Sequence, residues 1–427
     1  MTDDLLSCAD YERAANLSRR RFLQAAAATS AGAVATTMFG DALRQTSFGA
    51  TRGGNVLVVM SMRGGIDGLG MVVPHADPGY YAARPRISVP AASLVAKDSF
   101  FGLHPSMKPL AWMFDGGELA AVHAVGMERP NRSHFLAMEE IEDADPTSSV
   151  RRGWVNRMIG LGGGSSPSEA VHINGRVVPT MLAGPAPTLS ATKLDGFNLP
   201  GTDNGWAAKR RAQLSTVWGK APGPLGSAGR SAMKVAAQLG PIADQVYAPR
   251  NAVRYPESWP AKPLADALKD TAHLIRADVG AEIISVDFGS WDMHSEYGDQ
   301  GQGEMQGMVG AFAQSVDAFM RDLGPELRSR VTLVTISEFG RRVAENGNRG
   351  LDHGWGNMML VMGGGVRGGK YYGNWPWLIP TSLEDGDLKV TTDYRNVLGE
   401  VITKRFPDRS ISQVFPGLKY RPLGVMR

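Results

Sequence analysis

Short apolar runs recur along the chain and end in glycine or charge. They read NVLVVMSM (55–62), ELAAVHAVG (118–126), AEIISVDFG (281–289), VTLVTISEFG (331–340) and NMMLVMGGGV (357–366). They are rich in Val, Ile and Leu and scarcely alternate with polar residues, the pattern of strands covered on both faces. Helical spacing fills the intervals. PSMKPLAWMFD (105–115) opens on Pro, a residue suited to a first helical turn, and SHFLAMEEIE (133–142) follows a strand and a loop. Residues 304–323 place Met305, Met308, Phe312, Val316, Phe319 and Leu323 three or four apart, and 393–406 place Val397, Val401, Ile402 and Phe406 likewise. Strands alternating with helices predict an α/β fold, a doubly wound, mostly parallel sheet sandwiched by helices.

The middle, about 160–280, breaks this rhythm. LGGGSSPSE (161–169) and GKAPGPLGSAGR (219–230) read as loops, whereas WAAKRRAQLSTVW (206–218) and KPLADALKDTAHLIRADV (262–279) read as helices. The expectation is one domain over 50–427 with a helical insertion, not two domains. MGGGVRGG (362–369) lacks the helix that follows a dinucleotide-binding loop, so it reads as a turn.

Composition adds three points. The chain has 52 glycines and 26 prolines in 427 residues, which favours tight turns and long loops over a helical bundle. The net charge of +3 is close to neutral and no basic stripe is evident, which argues against nucleic acid as a partner. SRRRFLQ (18–24), then the alanine-rich AAAATSAGAVATTMFG (25–40) and the small residues of SFGA (47–50), resembles a twin-arginine export signal. The apolar run falls short of the ~20 residues that a stable membrane span needs. The expectation is therefore a signal over 1–49, transient contact with the twin-arginine translocase, and a periplasmic or extracellular protein. Removing 1–49 deletes five basic and five acidic residues, which leaves +3, and it deletes Cys8, the only cysteine. The exported protein then has no disulfide and no thiolate ligand.

In parallel α/β sheets ligands bind at the carboxyl ends of the strands. The first run is followed by Arg63 and Asp67, and the second by Arg129, Asn131, Arg132, Ser133 and His134. Asp287, Asp292 and His294 close the third, Glu338 and Arg341 follow the fourth, and Asp352 with His353 precedes the fifth. Singly, each has a structural reading. Asp67 suits a turn, Ser133 a helix N-cap, and Glu338 with Arg341 an exposed pair worth under ~1 kcal/mol. His104 reads as a helix-start residue and His123 as a buried one. Together, imidazoles and carboxylates without cysteine match a site for Zn²⁺ or Mn²⁺. A hydroxyl at a helix start, with Arg129 and Arg132 beside it, suits an anionic ester.

These stretches also carry a family resemblance. Residues 56–85, 100–110, 121–142, 287–298 and 334–369 resemble the bacterial exported family called domain of unknown function 1501, itself remotely similar to the alkaline phosphatase and sulfatase superfamily. The resemblance implies an alkaline phosphatase-like sheet with metal ligands on strand-end loops. Carried over by residue, it implies Ser133 as the catalytic nucleophile and Asp67, Asp292, His294, Glu338, Asp352 and His353 as the metal set. Arg129, Arg132 and Arg341 would attract the anion. Asp287 is the alternative to Asp292. SEFG (337–340) departs from the superfamily's Ser-Asp-His-Gly, with Phe339 where a metal-binding histidine is expected. One metal site then looks complete, from Asp292, His294 and His353, and the second lacks its imidazole. Two readings stand: an exported metal-dependent hydrolase of phosphate or sulfate esters, or a non-catalytic binding or envelope-assembly protein that holds an anionic ester or carbohydrate.

Overall fold

The computed structural model describes residues 53–161, 166–175, 177–194, 205–250, 252–299 and 303–427. The export signal read at 1–49, and Cys8 with it, lies outside the described residues.

The chain begins with strand β1 (Val56–Met62), helix α1 (Gly68–Met71), β2 (Val72–Val73), α2 (Pro78–Ala83) and β3 (Gly102–Leu103). A 3₁₀ turn (Pro105–Leu110) then leads into α3 (Ala111–Asp115), β4 (Leu119–Gly126), α4 (His134–Asp143) and α5 (Trp154–Gly160). The middle holds β5 (Ala170–Ile173), β6 (Leu189–Ala191), α6 (Ala207–Gly219), α7 (Gly223–Ala243) and α8 (Lys262–Arg276). Next come β7 (Ile283–Phe288), α9 (Glu304–Arg330), β8 (Val331–Ile336) and β9 (Asn357–Gly363). The chain closes with β10 (Lys370–Tyr372), β11 (Thr392–Asp393), α10 (Tyr394–Arg405) and α11 (Ile411–Val414).

Among the described residues one nine-stranded sheet runs in the order β10-β4-β9-β8-β1-β7-β5-β6, with β11 also on β4. β1 pairs in parallel with both β7 and β8, and β5 continues in parallel on β7. β9 is antiparallel to β8 and to β4. The sheet is thus mostly parallel, as the apolar runs predicted, and it holds one reversed strand that they did not. β1 shows why these runs do not alternate with polar residues. Val56, Val58, Met60 and Met62 pack into the core under α8 and α9, while Leu57 and Val59 pack into the opposite core under α4, α5 and α10. Successive side chains point to opposite faces, and both faces are dry. Each such side chain contributes roughly 1.5–3 kcal/mol of burial.

α9 extends beyond the expected 304–323 and breaks at Gly324, whose φ is +68°, beside Pro325. The loop expected at 219–230 is mostly helix instead: α7 starts at Gly223. Its second half buries Val235 and Leu239 in the core, with Ala236 also buried, and that tertiary cover outweighs the low helix propensity of its glycines.

Sheet polarity positions the candidate residues. β4, β8, β1 and β7 all run the same way, so their carboxyl ends share one edge, and the reversed β9 starts at that edge.

Candidate metal centre

Three imidazoles meet one carboxylate at this edge. Asp292 follows β7. Its Oδ1 lies 3.1 Å from His294 Nε2 and 3.2 Å from His353 Nε2. Its Oδ2 lies 3.4 Å from His134 Nε2. His294 Nε2 and His353 Nε2 are 3.0 Å apart. His134, Asp292 and His353 offer donor atoms that all lie within 4.8 Å of one another.

The far side of each ring fixes its chemistry. His134 Nδ1 donates to Glu338 Oε1 at 2.8 Å, His294 Nδ1 to Asp352 Oδ1 at 3.0 Å, and His353 Nδ1 to the Arg132 carbonyl at 2.9 Å. An acceptor on Nδ1 puts the proton there and leaves the Nε2 lone pair facing inward. Neutral rings would therefore aim three lone pairs at a carboxylate and at each other. A cation must sit among them, either protons or a metal ion. Among the described residues the buried His134 Nε2 has no hydrogen-bond partner, although it points at Asp292. Donor spacings of 3.0–3.4 Å also match the edge of a tetrahedron, ~3.3 Å for metal–ligand bonds of ~2.05 Å. The residues fit a divalent ion.

The electrostatics agree. Burial works against charge on His134, yet the carboxylates of Asp292 and Glu338 raise its pKa to about 9. Burial likewise opposes the charge on Asp292, but the three imidazoles and Arg341 hold its carboxyl far below the usual range. Hydrogen bonding to Asp292 raises His294. Asn346 and then His294 lower Asp352. The cluster stabilises positive charge at its centre.

Local backbone explains the convergence. His134 opens α4, which fixes its ring at a helix start. Glu338 is held by the Gly64 N–H at 2.8 Å and by Ser337 Oγ at 3.0 Å. Gly65, at φ +62°, lies against the ring of Phe339, which a Cβ there would meet at 2.5 Å. Gly350 passes within van der Waals range of the His294 carbonyl, so the 346–353 loop and the 291–296 loop lie side by side. Asn346 Nδ2 ties them by donating to His294 O at 2.9 Å and to Asp352 Oδ1 at 3.0 Å.

Of the residues expected from sequence, Asp292, His294 and His353 meet as donors. Glu338 and Asp352 are present one step back, as the acceptors that orient His134 and His294. Asp67 is elsewhere. Its two oxygens take Arg84 Nη1 at 2.6 Å and Arg84 Nη2 at 3.0 Å, and Tyr297 Oη donates to it at 2.5 Å. Arg84 is fully buried, so this carboxylate is neutralised by guanidinium and does not face the imidazoles. Asp287, the alternative to Asp292, pairs with Arg63 Nε at 2.8 Å. Ser133 is exposed at the N-cap of α4, directly before His134, and its side chain makes no capping bond. Arg132 binds Asp387 and Asp385, and the buried Arg341 binds Asp292 Oδ1 at 2.6 Å and four backbone carbonyls. The Arg341 guanidinium is thus closed to a substrate anion, whereas Arg132 is one-third exposed but already engaged by two carboxylates. Arg129 is exposed.

His134 was not in the expected set. Its sequence signal was an imidazole at the first helical position after a strand end, overshadowed by the hydroxyl beside it. Phe339 fills the expected place of a further histidine: it is buried, with its ring centroid 4.8 Å from those of His134 and His353. His104 caps the 3₁₀ turn by accepting from Ser106 N–H, and His123 is buried in β4, as expected of structural histidines.

Comparison with known proteins yields weak structural neighbours and one family. The C-terminal periplasmic domain of EcEptC from Escherichia coli, in complex with Zn, aligns at 9% identity and a TM-score of 0.36, over 75% of this chain and 76% of that one. A protein in the alkaline phosphatase superfamily from Vibrio parahaemolyticus aligns at 9% and 0.34, over 75% and 63%. Ps i-CgsB aligns at 11% and 0.31, over 75% and 68%. A search of curated proteins finds no match. The fold assignment rests on sheet order, not on these neighbours. Residues 271–394, the segment that carries Asp292, His294, Glu338, Asp352 and His353, match the family described as Protein of unknown function (DUF1501), and the resemblance read from the sequence stands on that segment.

Proposed function

We propose that this chain is an exported hydrolase of phosphate or sulfate esters that works with a single divalent cation. The observation that supports it most is the convergence of three Nε2 atoms on Asp292 with every Nδ1 already hydrogen-bonded to oxygen. A nitrogen-rich donor set without sulfur suits Zn²⁺ ahead of Mn²⁺. When bound, such an ion polarises an ester oxygen and lowers the pKa of coordinated water. His134, Asp292 and His353 would hold it, with His294 at the more exposed side.

One ion is favoured because the neighbouring acids that a second would need are already paired. Arg84 neutralises Asp67, and Arg63 bridges Asp287 and Glu142 at 2.8 and 2.9 Å. Ser133 is the proposed nucleophile. It adjoins a ligand, it is exposed, and the first N–H groups of α4 favour an anion there. Arg129 is left to attract the ester. The same reading takes 50–427 as one domain with a helical insertion near 160–280.

The test is turnover of zinc-loaded protein on a panel of phosphate and sulfate mono- and diesters. Ser133→Ala is expected to abolish turnover and leave zinc content unchanged. Zinc-replete protein that is inert on the whole panel removes the hydrolase reading. It would leave the second reading, a binding protein on the same fold, which the buried Phe339 favours by displacing a ligand.

A further inference from the structure

The near-neutral total charge conceals a local imbalance. Residues 205–243, which span α6 and α7, hold Lys209, Arg210, Arg211, Lys220, Arg230 and Lys234 and no acidic residue. The chain has 45 basic and 42 acidic residues, so the remainder has 39 against 42, a net of −3. The chain's net excess of positive charge lies on one hairpin.

α6 rests on α7 through Trp218, which lies against Gly229, and through the half-buried Leu214. Arg230 Nη1 joins the two by donating to the carbonyls of Trp218 at 3.2 Å and Ala221 at 2.7 Å. The rest of α6 faces outward: residues 208–213 and 215–217 are exposed. At about 100° per residue, Trp206, Lys209, Arg210, Gln213, Val217 and Lys220 share one stripe. Trp206 is 63% exposed and Val217 61%, with Lys209 Nζ 4.8 Å above the Trp206 ring.

We propose that this stripe of α6 docks on an anionic lipid bilayer. Charge complementarity calls for an anionic partner, because three cations lie on the stripe and no acid lies in the hairpin. Large, mostly exposed apolar side chains among those cations are the make-up of an interfacial helix, and tryptophan favours the headgroup level. The stripe is convex, which suits a flat surface. No helix among the described residues is long and apolar enough to cross a membrane, so the attachment is peripheral. The proposal is independent of the metal centre, which shares none of these residues.

The test uses whole purified protein with vesicles of phosphatidylcholine alone and with one part in three replaced by phosphatidylglycerol. Co-sedimentation with the anionic vesicles only, weakening as salt rises, is the expected result. Lys209→Gln with Arg210→Gln should lower the partition coefficient by about 30-fold, as expected of two cations near an anionic surface. Trp206→Phe should diminish the blue shift of tryptophan emission on binding. Far-UV circular dichroism and thermal unfolding, both unchanged, verify that the variants fold. Equal binding to neutral vesicles, binding to neither, or binding undiminished in the double variant overturns the proposal. So does tighter α6-dependent binding to dextran sulfate than to the anionic vesicles, which would assign the stripe to a soluble polyanion. The salt series on the unaltered protein tests the electrostatic part without any variant.

Discussion

At the residue scale, the centre depends on what stands behind each imidazole. Glu338 is buried and holds the His134 Nδ1 proton, so it decides where the Nε2 lone pair points. Glu338→Gln keeps the shape and weakens that hold. It is expected to lower zinc affinity by about 10–100-fold, measured by competition with a chelator. An unchanged affinity would mean that Glu338 does not orient the ring. Asp67 supplies the opposite case. It was expected among the metal ligands, but it neutralises Arg84. Asp67→Ala should cost about 3–5 kcal/mol of stability in denaturant titration, because it strands a buried guanidinium. Zinc stoichiometry should not change. Loss of zinc from a folded Asp67→Ala protein would restore it to the ligand set. The sequence carried the residue types but not this division. Asp67 and Asp292 both follow strands among glycines and both meet a guanidinium, and only the arrival of imidazoles beside Asp292 sets the two apart.

At the element scale, the strands were legible because a sheet buried on both faces forbids polar alternation. The edge that carries the candidate residues was legible because parallel strands share their carboxyl ends. The reversed β9 was not, since an antiparallel partner buried on both faces has the same composition. α7 was also hidden, because its glycines and prolines mimic a loop until the core covers its second half. The approach of the two site loops is another fact of elements rather than residues. A Cβ on Gly350 would fall 2.2 Å from the His294 carbonyl. Gly350→Ala should therefore push the 291–296 loop away from His353. The expected outcome is a loss of about 1–3 kcal/mol in stability, as for overpacking, together with weaker zinc binding. Calorimetric unfolding with and without zinc measures both, and a variant identical to the parent in both would contradict the packing described here.

At the scale of the whole molecule, acid sensitivity follows from its buried neutral histidines. Burial lowers His104 and His123 to about 4. Both are neutral when folded and take a proton when unfolded below about 6.5. Their contribution to stability is therefore present above pH 6.5 and is lost as pH falls toward 4. Each accounts for up to roughly 3 kcal/mol across that window. Denaturant titrations of metal-free protein at pH 7, 5.5 and 4 should show this fall, and His123→Asn should make it shallower. A parallel decline in parent and variant would place the acid sensitivity elsewhere.

The central claim is that His134, Asp292 and His353 hold one cation between them. Elemental analysis of purified protein after zinc loading and removal of free metal, alongside folded His134→Ala and His353→Ala, tests it most directly. About one zinc per chain is expected in the parent, and less than about a tenth of that in either variant. A well-folded parent that retains no zinc, or a His134→Ala protein that keeps its full complement, would contradict it.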